Sequence, residues 1–272
     1  MSVDYTVEHL YNEVIKKVTS SQDVWKKLLR LNGQLYRYEF DNILMVYAQR
    51  PGATLVADYD TWKKVGRYVK RGSKGIAIFP SRALKPYMRY VFDIGDTGGR
   101  KRELTWEIND GNRRAIVDKF FEETGESSQG YELSENEEKY LIKSFTKKKI
   151  QGIIKESTSM TYNKIEAELA DKAGINKERA AEIIFGSIFY MVCSRCGLEL
   201  SEQEQDLKGI GNLRDEDAVY ALGTFVNNTA CEVLRSFNRT IRQIENERRM
   251  AYGRSNGNDV PRRTGRDALP GH

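Results

Sequence analysis

The apolar positions of the chain follow two periods, and the change between them organises the sequence. Val7, Leu10, Tyr11, Val14 and Val18 recur at helical spacing and predict a helix over residues 5–18. Ser20 or Ser21 is placed to cap a second helix, with Asp23 at capping-box spacing from Ser20. That helix carries Trp25, Leu28, Leu29, Asn32, Leu35 and Tyr36 on one stripe. A third, Phe40–Gln49, must stop before Pro51, because the residue preceding a proline avoids the helical region. The period then shortens. Thr54–Ala57 reads as a β-like run, and Asp60 as the cap of one helical turn through Trp62 and Val65 that Gly66 ends. Arg67–Arg71 and Ile76–Phe79 read as two strands of a hairpin closed by Gly72-Ser73-Lys74-Gly75. Tyr90–Ile94 and Glu103–Ile108 read as a second pair around Asp96-Thr97-Gly98-Gly99. Residues 1–110 are therefore expected to form an α+β unit: N-terminal helices, then a small antiparallel sheet.

From Gly111 onward the pattern is almost entirely helical. Helices are expected over Arg113–Glu123, Glu135–Ile154 and Tyr162–Lys172, with Thr124–Gly130 as a loop. Asn176 can cap an apolar helix through Ala180, Ile183, Ile184, Ile188, Met191 and Val192, with Gly197 just past its end. Val219, Leu222, Val226, Ala230, Val233, Phe237, Ile241 and Ile244 form an unbroken stripe along a last long helix, which needs another helix to cover it. Residues 111–250 thus read as a mostly helical domain, or a helical wrap on the first unit. Residues 251–272 hold Gly, Arg, Asn, Asp and Pro with almost no apolar side chain, and are expected to be a disordered tail.

Charge changes the picture. The 272-residue chain carries a formal net charge of +5, and 31% of its residues are charged against about 25% in an average protein. Between Lys26 and Arg102 there are 17 Lys and Arg against 6 Asp and Glu, an excess of 11 positive charges that leaves the remainder at −6. The densest stretch, Trp62–Arg89, holds Lys63, Lys64, Arg67, Lys70, Arg71, Lys74, Arg82, Lys85 and Arg89 and no acid. Like charges at this density repel one another unless an anionic partner relieves them, and nucleic acid is the polymer best suited to do so. Aromatic residues among them suit a single strand, whose unpaired bases expose faces for stacking. The plainer alternative is a solvated basic face with the aromatics in the core.

The same composition excludes much chemistry. Only His9 and His272 are histidines, so a histidine base or a multi-histidine metal site is nearly ruled out. No phosphate-binding Gly-x-x-x-x-Gly-Lys motif occurs, and Gly209-Ile-Gly211 lacks the third glycine and the preceding strand of a dinucleotide loop. Cys193-Ser-Arg-Cys196 is a lone pair of cysteines, for which the expected place is a helix facing the core. Three cysteines give no disulfide framework, the first residues show no secretory pattern, and no apolar run is long enough to span a bilayer. The expectation is a cytoplasmic, non-enzymatic protein without metal or cofactor and without a membrane partner.

The series Tyr36-Arg-Tyr-Glu-Phe-Asp-Asn-Ile-Leu-Met-Val-Tyr-Ala-Gln-Arg-Pro-Gly-Ala-Thr54 is followed by Val56-Ala-Asp-Tyr-Asp-Thr-Trp-Lys-Lys-Val-Gly-Arg67 and Val69-Lys-Arg-Gly-Ser-Lys-Gly-Ile-Ala-Ile78. It resembles the N-terminal domain of ArdC-type antirestriction proteins, in the version that opens large multidomain proteins of Gram-positive conjugative elements. The likeness covers residues 20–110, and Ser194-Arg-Cys-Gly197 and Ala221-Leu-Gly-Thr224 are similar to the region after the domain in those proteins. The His-Glu-x-x-His helix of the family's zinc protease-like domain is absent, as are the methylase and helicase modules. What the resemblance implies is therefore binding without catalysis: a module of a mobile genetic element that coats single-stranded DNA and shields it from host defence. The alternative partner is a host nuclease, restriction or RNA-guided, inhibited by direct protein contact in an anti-CRISPR-like manner.

Within that segment the residues suggest their own roles. Asn42 and Gln49 lie a heptad apart on one short helix, with Arg50 just beyond, and can face one side together. Lys63, Arg67, Lys70, Arg71 and Lys74 supply charge along a helical turn, a strand and its turn, whose backbone N–H groups can approach a phosphate. Tyr38 and Tyr68 are the better stacking candidates, against the alternative that each packs into the fold; Trp62 could also stack on a base, but a lone Trp in a short amphipathic turn is more often core.

Overall fold

Local chemistry sets the element boundaries in the computed structural model, which describes residues 3–80, 88–99, 104–125, 132–157 and 159–255. Helix α1 (Val3–Lys17) is followed by α2 (Gln22–Gln34) and α3 (Phe40–Gln49). Ser21 rather than Ser20 caps α2: its hydroxyl accepts from the Val24 N–H at 3.3 Å, so Asp23 stands in the first turn and not at the box position. Asp58, rather than Asp60, caps α4 (Tyr59–Lys64), accepting from the Thr61 N–H at 2.7 Å. The helices of the second half are α5 (Arg113–Thr124), α6 (Glu135–Glu156), α7 (Ser159–Ala173), α8 (Lys177–Arg195) and α9 (Glu216–Ser255). Ser134 and Glu137 close a full capping box on α6, and Asn176 caps α8 as its position predicts. Helix α9 continues through Ala251–Ser255, five residues into the segment expected to be disordered; the remainder of that segment lies outside the described residues. The expected loop from Glu126 onward, Arg82 and Lys85 also lie outside them.

The sheet pairs differently from its sequence reading. The short strands are β1 (Val56–Ala57), β2 (Arg67–Val69), β3 (Ile76–Ile78), β4 (Arg89–Asp93) and β5 (Thr97–Gly99). Strand β4 runs between β1 and β3, antiparallel to both, whereas β2 pairs with β5. The predicted β2–β3 hairpin does not form, because both partners are taken. Lys70 extends the β2–β5 ladder by donating its N–H to the Asp96 carbonyl at 2.8 Å, and the free edge of β3 is occupied by a side chain of α3, described below. The expected turn Asp96–Gly99 is largely strand, since the chain reverses earlier: the buried Asp93 carboxylate accepts from the N–H groups of Gly95 at 2.9 Å and Thr54 at 2.8 Å. Residues 104–108, expected as a strand, instead lie against the helices through Trp106.

One main hydrophobic core runs from Val7 on α1 to Ile244 on α9. All eight stripe residues of α9 named from the sequence are buried in it, as are the six of α8. Helix α2 crosses α8, where the Trp25 indole donates to the Ser187 hydroxyl at 2.9 Å. Thr19 donates to the Leu213 carbonyl at 2.7 Å, and Asn227 on α9 donates to the Tyr38 carbonyl at 3.2 Å. The helices after residue 111 thus wrap the first unit through shared core and polar ties. A second, small cluster of Ala57, Trp62 and Val65, with Phe92 and Val69 against it, sits on the other face of β4.

Candidate nucleic-acid interface

Alternation along β2 sends Arg67 and Val69 to one face and Tyr68 to the other. Arg67 folds back over the structure. Its Nε donates to the Thr97 hydroxyl at 2.8 Å, and its guanidinium lies 6.0 Å from the centre of the Trp62 ring. Trp62 itself is fully buried and donates to the Phe92 carbonyl, so it is core. Tyr68 points outward and is 61% exposed. Its ring lies across Gly98 on β5, where an added Cβ would stand 2.6 Å from a ring atom. The absence of a side chain at Gly98 leaves room for the far end of the phenol to rest there.

Past β2 the chain turns through Gly72, whose φ of +85° suits glycine. Lys63, Lys64, Lys70, Arg71 and Lys74 are all exposed, and none is ion-paired among the described residues; Lys70 donates only to the Gly95 carbonyl, at 3.0 Å. This contrasts with the helical half, where Lys143 and Lys147 share Glu204 at 2.6 and 3.0 Å, and Lys149 meets Glu123 at 2.9 Å. Among the described residues the basic turn is therefore a region of positive charge without ion pairs, with the exposed Tyr68 ring in the strand before it.

Four of the sequence-named residues are bonded to the fold itself. Gln49 accepts from the Ala77 N–H at 2.9 Å and donates back to the Ala77 carbonyl at 2.8 Å, completing the outer edge of β3 as a neighbouring strand would. Asn42 accepts from the Phe79 N–H at 2.8 Å one step along the same edge. The heptad spacing does place both amides on one side, and that side faces the sheet. Arg50 forms an ion pair with Asp96, whose hydrogen bond raises its guanidinium further above the ordinary value. Tyr38 donates to the Val56 carbonyl at 2.9 Å, and burial pushes its hydroxyl up to about 12. The structure thus brings together Lys63, Tyr68, Lys70, Arg71 and Lys74 at the surface, with Arg67 bridging to the interior.

Tyr90 is a residue that the sequence reading does not single out. It is 49% exposed on β4, and a Cβ on Gly75 would meet its ring at 3.1 Å, so it borders the basic turn. The alternation of Tyr90 against buried Val91 is the sequence signal that marks it.

Other chemistry is not assembled. Cys193, Cys196 and Cys231 are buried thiols; burial raises Cys196 to about 12 and Cys193 well above its ordinary value, so both stay protonated at neutral pH. Among the described residues no three His, Cys, Asp or Glu side chains are grouped to hold a metal ion, and no helix is long and apolar enough to cross a membrane.

A helical scaffold thus carries short antiparallel strands with a basic turn and exposed rings. The chain belongs to the family of the N-terminal domain of anti-restriction factor ArdC, whose model matches residues 5–147. Among solved structures it is similar to the metal-free crystal structure of the antirestriction ArdC protein from the R388 plasmid. That likeness has 14% identity and a TM-score of 0.42, covering 82% of this chain and 94% of the other. No curated protein matches it.

Proposed function

We propose that this chain is a non-enzymatic, single-stranded DNA-binding module of a mobile genetic element, shielding transferred DNA from host defence. Membership of the antirestriction family supports the biological setting. The observation that carries the molecular reading is the group of exposed cations Lys63, Lys64, Lys70, Arg71 and Lys74, none ion-paired among the described residues, in the same stretch as the exposed ring of Tyr68. The cations neutralise phosphates with little regard to sequence, and Tyr68 and Tyr90 offer faces to unpaired bases.

The test is fluorescence anisotropy with a labelled single-stranded oligonucleotide and its duplex over a salt series. The reading expects tighter binding to the single strand, weakening by about 0.7 log unit per log unit of salt for each phosphate contact. Equal weak binding to both, or none, would overturn it. The inhibitor reading would then take its place, with a stoichiometric complex with a nuclease in the absence of DNA as its own requirement.

A further inference from the structure

Arg195 ends α8 within the Ser194–Gly197 series, and the DNA-binding reading makes no use of it. It is only 8% exposed. Its guanidinium lies 4.0 Å from the centre of the Trp106 ring and donates one hydrogen bond, from Nη2 to the Trp106 carbonyl at 2.7 Å. The buried Nε has no hydrogen-bond partner, and no carboxylate pairs with Arg195 among the described residues. Burial lowers its guanidinium from the ordinary value, against opposing contributions from Cys196, Tyr36 and the Glu107 carboxylate, and Arg37 adds like-charge repulsion. A buried cation with no ion-pair partner among the described residues is unfavourable, and the partial negative charge of the α8 C-terminus offsets only part of that.

The setting of this cation is a cavity. Arg195 lines it with Tyr36, Arg37, Tyr38, Arg89 and Trp106. The acid in the same wall, Asp58, is already engaged by Arg89 at 2.9 Å and by the Thr61 N–H at 2.7 Å. Arg37 also lines the adjoining cleft, where Arg235 and Arg239 of α9 stand with Glu39 and Glu232, so one more cation than acid lines the way out of the cavity. Trp106 has its faces occupied by Arg195 and by Phe237, stacked at 6.4 Å, which leaves the cations rather than the indole as the recognising groups.

We infer that the cavity between Tyr36–Tyr38 and the end of α8 is an oxyanion site that takes a phosphate group, with Arg195 as its innermost ligand. It is separate from the basic turn and does not depend on that turn binding DNA. Guanidinium favours phosphate because its planar fork offers paired donors to two oxygens. The phosphate can belong to a free anion, a strand terminus or an internal diester.

Intrinsic tryptophan fluorescence of the full chain reports on the site, because Trp25 and Trp62 are fully buried and Trp106 carries Arg195 on its face. The probes are inorganic phosphate, a 5′-phosphorylated oligonucleotide and the same oligonucleotide with a 5′-hydroxyl. The expected result is a saturable change with at least one of them. Response to inorganic phosphate assigns a free anion; response to the phosphorylated strand alone assigns a terminus; equal response to both strands assigns a diester. Arg195→Met should abolish the response, and a chain with Lys70, Arg71 and Lys74 replaced by Ala should keep it, which separates this site from the basic turn. Arg195→Met should also melt no lower than the parent in phosphate-free buffer, since it removes an unpaired buried charge. A parent chain that responds to no probe would overturn the inference, and that arm stands even if the variant fails to fold. An Arg195→Met chain that melts lower and keeps the parent's response would equally overturn it, and would make Arg195 a strut for Trp106.

Discussion

Gln49 shows how a residue's surroundings decide its role. Its amide closes the exposed edge of β3 by bonding both polar groups of Ala77. Gln49→Ala should therefore lower stability to urea by about 0.5–1.5 kcal/mol for each hydrogen bond lost, with no added penalty for stranded groups, because Gln49 is exposed and water can take its place. Its affinity for single-stranded DNA should stay at the parent value by anisotropy; a loss of affinity without loss of stability would return Gln49 to the interface. Tyr68→Ala carries the opposite expectation. It should cost about 1–3 kcal/mol of strand affinity if its free face stacks on a base, and leave the melting temperature nearly unchanged. That Asn42 and Gln49 share a face was legible from their heptad spacing. Which way the face points was not, because β3 follows α3 by more than two dozen residues and only the tertiary fold brings them together.

At the scale of elements, the helices were the most legible part. Their stripes and caps are local, so Asn176 and the α9 stripe were readable without a partner in view. Strand partners were not. Gly72-Ser73-Lys74-Gly75 satisfies the chemistry of a hairpin turn, yet pairing depends on which edges remain free once α3 and β4 are in place. The crossing of α3 and α9 gives a direct check. A Cβ on Gly223 would stand 2.0 Å from the Phe40 ring. Gly to Ala inside a helix ordinarily stabilises by about 0.5–1 kcal/mol, but here overpacking should reverse the sign and cost about 1–3 kcal/mol. A thermal melt that rises in Gly223→Ala would refute this packing.

A polar tie joins α6 to the segment after α8. Burial tends to raise Glu204, but hydrogen bonds from Lys143, Lys147 and the Ser201 N–H outweigh it and hold the carboxyl at about 2, against an ordinary 4.5. Because the folded value is depressed, its stabilisation is present above 4.5 and is lost as pH falls toward about 2. Glu204→Gln should thus be less stable than the parent near neutral pH, and the gap should close through that window in urea titrations. A gap that is constant with pH would show that the ion cluster contributes nothing.

Across the whole molecule, charge is partitioned between the two halves of the chain. The basic excess of the first unit was legible from counting alone, whereas the bonding of Tyr38, Asn42, Gln49 and Arg50 to the fold appeared only in the structure. Acids and bases of the helical half largely neutralise one another, while Lys63, Lys64, Lys70, Arg71 and Lys74 form no ion pair among the described residues. If that surface is the seat of DNA binding, its charge can be removed without disturbing the core, since Lys70, Arg71 and Lys74 are exposed. The decisive measurement is the affinity of the Lys70→Ala, Arg71→Ala, Lys74→Ala chain for a single-stranded oligonucleotide, beside its melting temperature. The account predicts roughly a tenfold or greater loss of affinity and a shallower salt slope, with the fold intact. Parent-like affinity and salt slope in a folded variant would contradict it.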